Sequence, residues 1–275
     1  MVLARCAPLM SSSTSTTVRT WEQFQQRWDG VRNFLLADEC VPFEFDMPPI
    51  DRVVAEMRGD ELVRITPGTR GDRLHLDDTA AEFRRLPVEQ AIETPFALAH
   101  FELGRFDAPG KFLHGFDARV MEPWRQGLAA AGFTFERCVP IIFMSGRRCA
   151  TNYHMDISHV LAWQIFGQKR FCGLRDPERW APHDARVKYK AGKFARPAEL
   201  TEADSLCFDM GPGDVLWNVL LTPHWVEAGD EVALSVNISH SGVRYRGRLF
   251  RFEQELVDYR REQDELEAKA AKPGA

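Results

Sequence analysis

The apolar positions of this chain switch between two periods, and the switches mark its elements. Trp21, Phe24, Trp28, Val31 and Leu35 recur at helical spacing behind Thr20, whose hydroxyl is placed to cap a helix with Gln23 at its third position. A strand through Val41 to Phe45, a helix near Ile50 to Arg58 and a strand at Leu62 to Ile65 follow. From Arg70 to Pro109 turns and short pieces dominate. Met121 to Ala131 then reads as a helix leading into the strand Cys138 to Met144.

The second half is written in short apolar runs punctuated by Gly, Pro and Asp. Val160 to Phe166 and Lys169 to Cys172 read as two strands of a hairpin joined at Gly167-Gln168. Gly211 to Asp214 turns into Val215 to Val219, and Ala228 to Glu231 turns into Val232 to Ile238. This succession predicts a small antiparallel barrel in a mainly β chain with flanking helices. Pro177 to Ala203, rich in Pro and charge, is a long connection of the kind that serves as a lid or an exposed crossover. Leu249 to Ala271 returns to helical period, with Leu249, Phe252, Leu256, Tyr259 and Leu266 on one side.

Composition sets bounds on this picture. A chain of 275 residues with 44% hydrophobic and 27% charged positions is ordinary for a globular protein and large enough for one core. A single domain over residues 19–248 accommodates every strand, with 249–275 as a C-terminal helix. Residues 1–18 hold the run Ser11 to Thr17 and lack the apolar stretch of a signal peptide, which predicts a disordered tail and a cytoplasmic protein. A net charge of -5 gives no general attraction to nucleic acid or to an anionic membrane. The six Cys show no C-x-x-C spacing, so neither a zinc ribbon nor a redox pair is indicated, and they read as reduced thiols.

The candidate chemistry lies in Thr151 to Asp156 and around His224. Residues two apart on an extended strand point to the same face, so His154 and Asp156 can chelate one ion together. His224 follows Pro223 at the mouth of another short strand and supplies a third ligand. Two imidazoles and one carboxylate leave about three positions open on Fe(II), enough for an organic cosubstrate and dioxygen. The turn at Gly167 brings Lys169 or Arg170 back toward this set; strand alternation sends the two in opposite directions. His159 and His240 stand close enough in sequence to touch a substrate, yet read first as structural, as do His75, His100, His114 and His183. Arg244, Arg246 and Arg248 read as one alternating strand facing water, and Trp163, Trp217, Trp225, Phe143 and Phe171 as barrel core with one or two lining a pocket.

The pattern T-x-x-H-x-D from Thr151, Q-I-x-G-x-K-R from Gln164, G-D-V-L from Gly213 and P-H-x-V-E from Pro223 resembles the cupin-type JmjC-like Fe(II)/2-oxoglutarate oxygenases. Within them it is most similar to the branch containing the factor-inhibiting-HIF asparaginyl hydroxylase. The resemblance spans about residues 135 to 245 and departs from that branch at Tyr153 and at Val160, where the branch carries Asn. It implies a double-stranded β-helix, iron held by His154, Asp156 and His224, Lys169 paired with the distal carboxylate of 2-oxoglutarate, and Thr151 and Asn237 as further cosubstrate contacts. It also implies hydroxylation of a C–H bond; with no recognisable reader or partner domain in the chain, an amino acid or small metabolite is the expected substrate in preference to a protein residue. The C-terminal helix either packs on its own barrel or makes a homodimer contact, since relatives of this type often pair through C-terminal helices. A cupin metalloenzyme of another class, isomerase or hydrolase, has use for the same triad but none for Lys169. A metal-free ligand-binding cupin is the third reading.

Overall fold

The computed structural model describes residues 16–68, 76–188 and 195–270. Its strands, in chain order, are β1 Thr17–Val18, β2 Phe34–Leu36, β3 Arg64–Pro67, β4 Phe96–His100, β5 Phe133–Thr134, β6 Arg137–Ser145, β7 His159–Phe166, β8 Lys169–Leu174, β9 Ser205–Met210, β10 Val215–Asn218, β11 Trp225–Ala228, β12 Ala233–Ser241, β13 Arg244–Tyr245 and β14 Arg248–Leu249. The helices are α1 Trp21–Arg27, α2 Ile50–Arg58, α3 Leu76–Arg85, α4 Val88–Ala91, α5 Glu122–Ala130, α6 Pro177–Trp180, α7 His183–Val187 and α8 Arg251–Ala270.

An eight-stranded sheet, ordered β1-β2-β10-β7-β12-β6-β4-β3, faces a three-stranded sheet, β11-β8-β9, across a cavity. This is the double-stranded β-helix expected from the sequence. Alternation along the central strands sorts the two faces. On β12, Leu234, Val236 and Ile238 go to the main core while Ser235, Asn237 and Ser239 line the cavity. On β7, Leu161 and Trp163 go to the core and Val160, Ala162 and Gln164 to the cavity. Polar residues therefore line the inside of the barrel, and the core lies behind the large sheet.

That core is aromatic and closed by the N-terminal helices. Phe24 of α1 meets Trp217 edge-on at 5.1 Å, and Trp28 meets Phe133 at 5.5 Å. Trp124 of α5 is fully buried and donates from its indole to His240 Nε2 at 2.7 Å. Removing one of these rings leaves a void costing about 3–5 kcal/mol. The Thr20 cap forms as expected, with its hydroxyl accepting from the Gln23 N–H at 3.3 Å.

Several expectations change. Val18 is fully buried and Thr17–Val18 pairs in parallel with β2, so order begins before Thr20; Met1 to Ser15 lie outside the described residues. Helix α1 ends at Arg27, and Leu35 belongs to β2. Val41 to Phe45 forms no strand, because Pro42 removes a ladder donor. Arg244 to Arg248 is not one strand but a tight hairpin, β13-β14, turning at Arg246 (φ 49) and Gly247 (φ 81). The expected β7-β8 hairpin is absent: β7 pairs with β10 and β12, β8 with β9 and β11. Gly167, at φ 63 and with Val232 O where a Cβ would sit, is where the chain crosses between sheets. The thiol reading fails for two cysteines, since Cys172 and Cys207 stand opposite each other on β8 and β9 and form a disulfide. Cys40, Cys138 and Cys149 are free and buried.

Beyond the barrel, α6 and α7 are anchored away from the cavity: Arg186, fully buried, lies over the Phe252 ring of α8 at 4.6 Å. None of residues 177–188 or 195–203 lines the cavity. Helix α8 sets Phe252 and Leu256 against its own barrel and leaves Val257 and Leu266 exposed. Among the described residues no helix is long and apolar enough to cross a membrane.

Candidate metal centre and cosubstrate pocket

The segment after Ala150 is irregular, not the regular strand expected, and it is held by backbone exchange with the segment carrying His224. His154 N donates to His224 O at 3.0 Å and His224 N to His154 O at 2.8 Å. Leu221 N reaches Asp156 O at 2.8 Å, and Leu221 adopts a left-handed φ of 57 to do so. That conformation costs a branched residue on the order of 1–2 kcal/mol, a strain of the kind found where geometry at a site is imposed.

These contacts bring the three predicted side chains together. One donor atom from each of His154, Asp156 and His224 lies within 4.8 Å of the others. His154 Nε2 is 3.8 Å from Asp156 Oδ1, and His224 Nε2 is 3.5 Å from Asp156 Oδ2. Each imidazole is turned by its other nitrogen, His154 Nδ1 contacting Asn152 O at 2.6 Å and His224 Nδ1 contacting Thr222 O at 2.9 Å. A carbonyl only accepts, so each Nδ1 carries the proton and each Nε2 offers a lone pair. Burial, reinforced by the neighbouring His154, pushes the His224 pKa down to about 4 and keeps that ring neutral, the form that binds a metal. Phe171 stacks on the His224 ring at 5.1 Å. Asn218 Nδ2 donates to Asp156 Oδ2 at 3.0 Å and fixes the carboxylate. Donor types, free lone pairs and supporting bonds all fit a divalent metal.

The triad opens on a cavity of about 530 Å³ between the two sheets. Lys169 enters it from the start of β8, 6% exposed, and donates to Ser235 Oγ at 2.9 Å and Phe143 O at 3.2 Å. Among the described residues it meets no carboxylate, and burial alone pushes its pKa down to about 7. Arg170 points the other way and pairs with Glu202 at 2.7 Å. Thr151 lines the cavity, its hydroxyl accepting from Val226 N at 2.9 Å, and Asn237 Oδ1 is buried there with no partner among the described residues.

Other candidates lie elsewhere. His159 and His240 are fully buried on the core side of the sheet, with burial pushing both pKa values down to about 3, so neither reaches the cavity. Phe143 and Phe171 line it, while Trp163 and Trp217 belong to the core and Trp225 packs beside the disulfide. His75 lies outside the described residues. Sequence reasoning missed Asn218 and Ser235. Their signal was a polar residue inside an apolar strand, plainest in the Ser235, Asn237, Ser239 alternation.

No protein-family model and no curated protein matches the sequence. Solved structures do match. The Escherichia coli ribosomal oxygenase YcfD, in complex with cobalt and 2-oxoglutarate, superposes with a TM-score of 0.51 at 16% identity, over 93% of this chain and 58% of that one. Its complex with cobalt and succinic acid gives the same values. A further YcfD crystal structure gives a TM-score of 0.50 at 18% identity over 80% of this chain and 51% of that one. The fold is the cupin barrel of these proteins. At this identity the likeness is one of fold, and the chain spans about 58% of the length of the structure with 2-oxoglutarate.

Proposed function

We propose that this chain is an Fe(II)- and 2-oxoglutarate-dependent oxygenase hydroxylating a C–H bond, with residues 19–248 as its catalytic domain. One observation carries the reading: His154, Asp156 and His224 share a cavity with the buried ammonium of Lys169, which has no anion to meet among the described residues. A buried cation without a partner is costly, and a carboxylate arriving in the cavity relieves that cost.

In this reading His154 Nε2, Asp156 and His224 Nε2 would hold iron, and Asn218 would keep Asp156 oriented. Lys169, steadied by Ser235, would take the distal carboxylate of 2-oxoglutarate; Thr151 and Asn237 add hydrogen-bonding capacity along it. When bound, the iron and cosubstrate supply oxidative decarboxylation coupled to hydroxylation. The chain positions the groups, and Phe143 and Phe171 limit water. An isomerase or hydrolase on the same barrel leaves the burial of Lys169 without a purpose.

A cavity of this size suits an amino acid or small metabolite, while the name of the structural neighbours, ribosomal oxygenase, adds a residue on a protein to the substrate classes to test. Placement in the asparaginyl hydroxylase branch rests on the motifs from Thr151, Gln164, Gly213 and Pro223. A homodimer through α8 would use the exposed Val257 and Leu266; a monomer by sedimentation at micromolar concentration removes that part of the proposal.

Thermal unfolding tests the reading. Mn(II) and 2-oxoglutarate together should stabilise the protein far beyond either alone, by about 2.7 kcal/mol at a hundred times the dissociation constant, and the Fe(II)-loaded protein should release succinate. Stabilisation by metal alone, with no effect of 2-oxoglutarate, would reject it.

A further inference from the structure

The cavity continues past the triad to a second cation, Arg137. Strand register lays the cavity face of the large sheet out in rows. One row runs Ser235 on β12, Phe143 on β6, Ala99 on β4 and Arg64 on β3. Lys169 rests on it. The next row carries Asn237 and Ile141, and the one after it Ser239, Val160 and Asn218, the amide that holds Asp156. Ser241 and Arg137 form the last. At about 3.3 Å per residue, Ser235 and Ser239 are roughly 13 Å apart, so Arg137 is at the opposite end of the cavity from Lys169.

Arg137 is held back over that end. Its Nη2 donates to Ser239 Oγ at 3.2 Å and its Nε to Ser241 Oγ at 3.3 Å, and Ser239 donates onward to Ser158 Oγ at 3.0 Å. Hydroxyls orient a guanidinium without neutralising it. Among the described residues no carboxylate pairs with Arg137, and the neighbouring Glu136 is taken by Arg244. Arg64 lines the same cavity in the Lys169 row and lies over the Phe101 ring at 4.6 Å, away from Arg137. Ile141, opposite Asn237, and Val160, opposite Ser239, give apolar surface between Arg137 and Lys169.

We infer that this end of the cavity binds the primary substrate by an anionic group: Arg137 takes a carboxylate, Ile141 and Val160 take the apolar body, and the substrate is a small organic acid. A guanidinium fork matches a carboxylate with two parallel bonds, a selection that neutral residues cannot make. The inference rests on the oxygenase reading, in which Lys169 is occupied by the cosubstrate and Arg137 remains for the substrate.

Fluorine NMR tests it with 4-fluorophenylacetate and its uncharged amide, each titrated under nitrogen into protein saturated with Mn(II) and 2-oxoglutarate. The acid should bind at least about tenfold more tightly than the amide, as expected for one charge-assisted bond. Arg137→Gln should abolish that preference, Arg137→Lys should retain part of it, and 2-oxoglutarate affinity should be unchanged in both. Equal binding of acid and amide, no binding of the acid, or a preference that survives Arg137→Gln overturns the assignment. If wild-type protein takes up no 2-oxoglutarate, the oxygenase reading falls by itself, and the acid preference and its loss in Arg137→Gln are still read in the same titration.

Discussion

Lys169 Nζ donates to Ser235 Oγ at 2.9 Å, a bond between the first residue of β8 and a cavity-facing residue of β12 on the opposite sheet. It joins the two sheets across the cavity, and among the described residues it leaves the ammonium with hydroxyl and carbonyl partners but no counter-charge.

The first expected outcome concerns that ammonium. Losing a charge-assisted bond costs about 1.5 to 3 kcal/mol, on the order of ten- to a hundredfold in affinity. Lys169→Ala should raise the 2-oxoglutarate requirement by that factor with Mn(II) affinity nearly unchanged. Arg170→Ala should do little, since Arg170 faces solvent against Glu202. Titrations of both variants decide, and a larger effect in Arg170→Ala would show that the opposite face of β8 binds the cosubstrate.

The metal centre gives a second. His154→Ala, Asp156→Ala or His224→Ala should each abolish turnover and Mn(II) binding while circular dichroism stays that of a folded barrel. Asn218→Ala leaves the donor set intact but frees Asp156 Oδ2. It should weaken Mn(II) binding by about 10- to 100-fold. Equal affinity in Asn218→Ala and wild type, read by calorimetry, would mean the carboxylate needs no support.

The triad and Lys169 were legible because few residue types do this chemistry and each stood in a strand context that local turns defined. The amide that orients the Asp156 carboxylate was not. Asn218 contacts Asp156 across 62 residues of sequence, a relation set by β10 pairing with β7. Gly167 announced a turn, but a turn says only that the chain changes direction, and here it passes to the other sheet. Cys172 and Cys207 carry no local signal at all; the register of β8 on β9 makes them neighbours.

That disulfide supports a third prediction. It closes a loop across 35 residues and lies against Trp225 and Leu174 in a small separate cluster. A loop of this order contributes about 2–4 kcal/mol. Reductant should lower the melting temperature of wild-type protein by several degrees and leave a Cys172→Ser/Cys207→Ser double variant unmoved. If reductant moves neither, the two thiols are unpaired in solution.

The last prediction uses pH. Burial holds the Lys169 pKa near 7 in the free protein, against 10.5 in an unfolded chain. Between these values the unfolded state carries a proton the folded state lacks, so stability must rise with pH across this window. Below about pH 7 both states are protonated and the full burial cost, on the order of 5 kcal/mol, is present. The cleanest range is about pH 7 to 8.5. The histidines shifted down, His159, His224 and His240, act on the acid side of it. The thiols of Cys40 and Cys138, pushed up to about 12 and 11, oppose the trend above their unfolded value of 9.0. Arg64, Arg137, His154 and Asp156 line the same cavity and are common to wild type and variant, so their difference isolates the lysine. Denaturant unfolding should show metal-free wild type gaining about 1 to 2 kcal/mol over this range, and Lys169→Met should be more stable at pH 7 and lack the slope. Bound 2-oxoglutarate restores the charge, so its binding at pH 8 should take up close to one proton, measured by calorimetry in buffers of different ionisation enthalpy. A wild-type slope no steeper than that of Lys169→Met would show that Lys169 has a counter-charge in the free protein, and the central argument for an anionic cosubstrate would be lost.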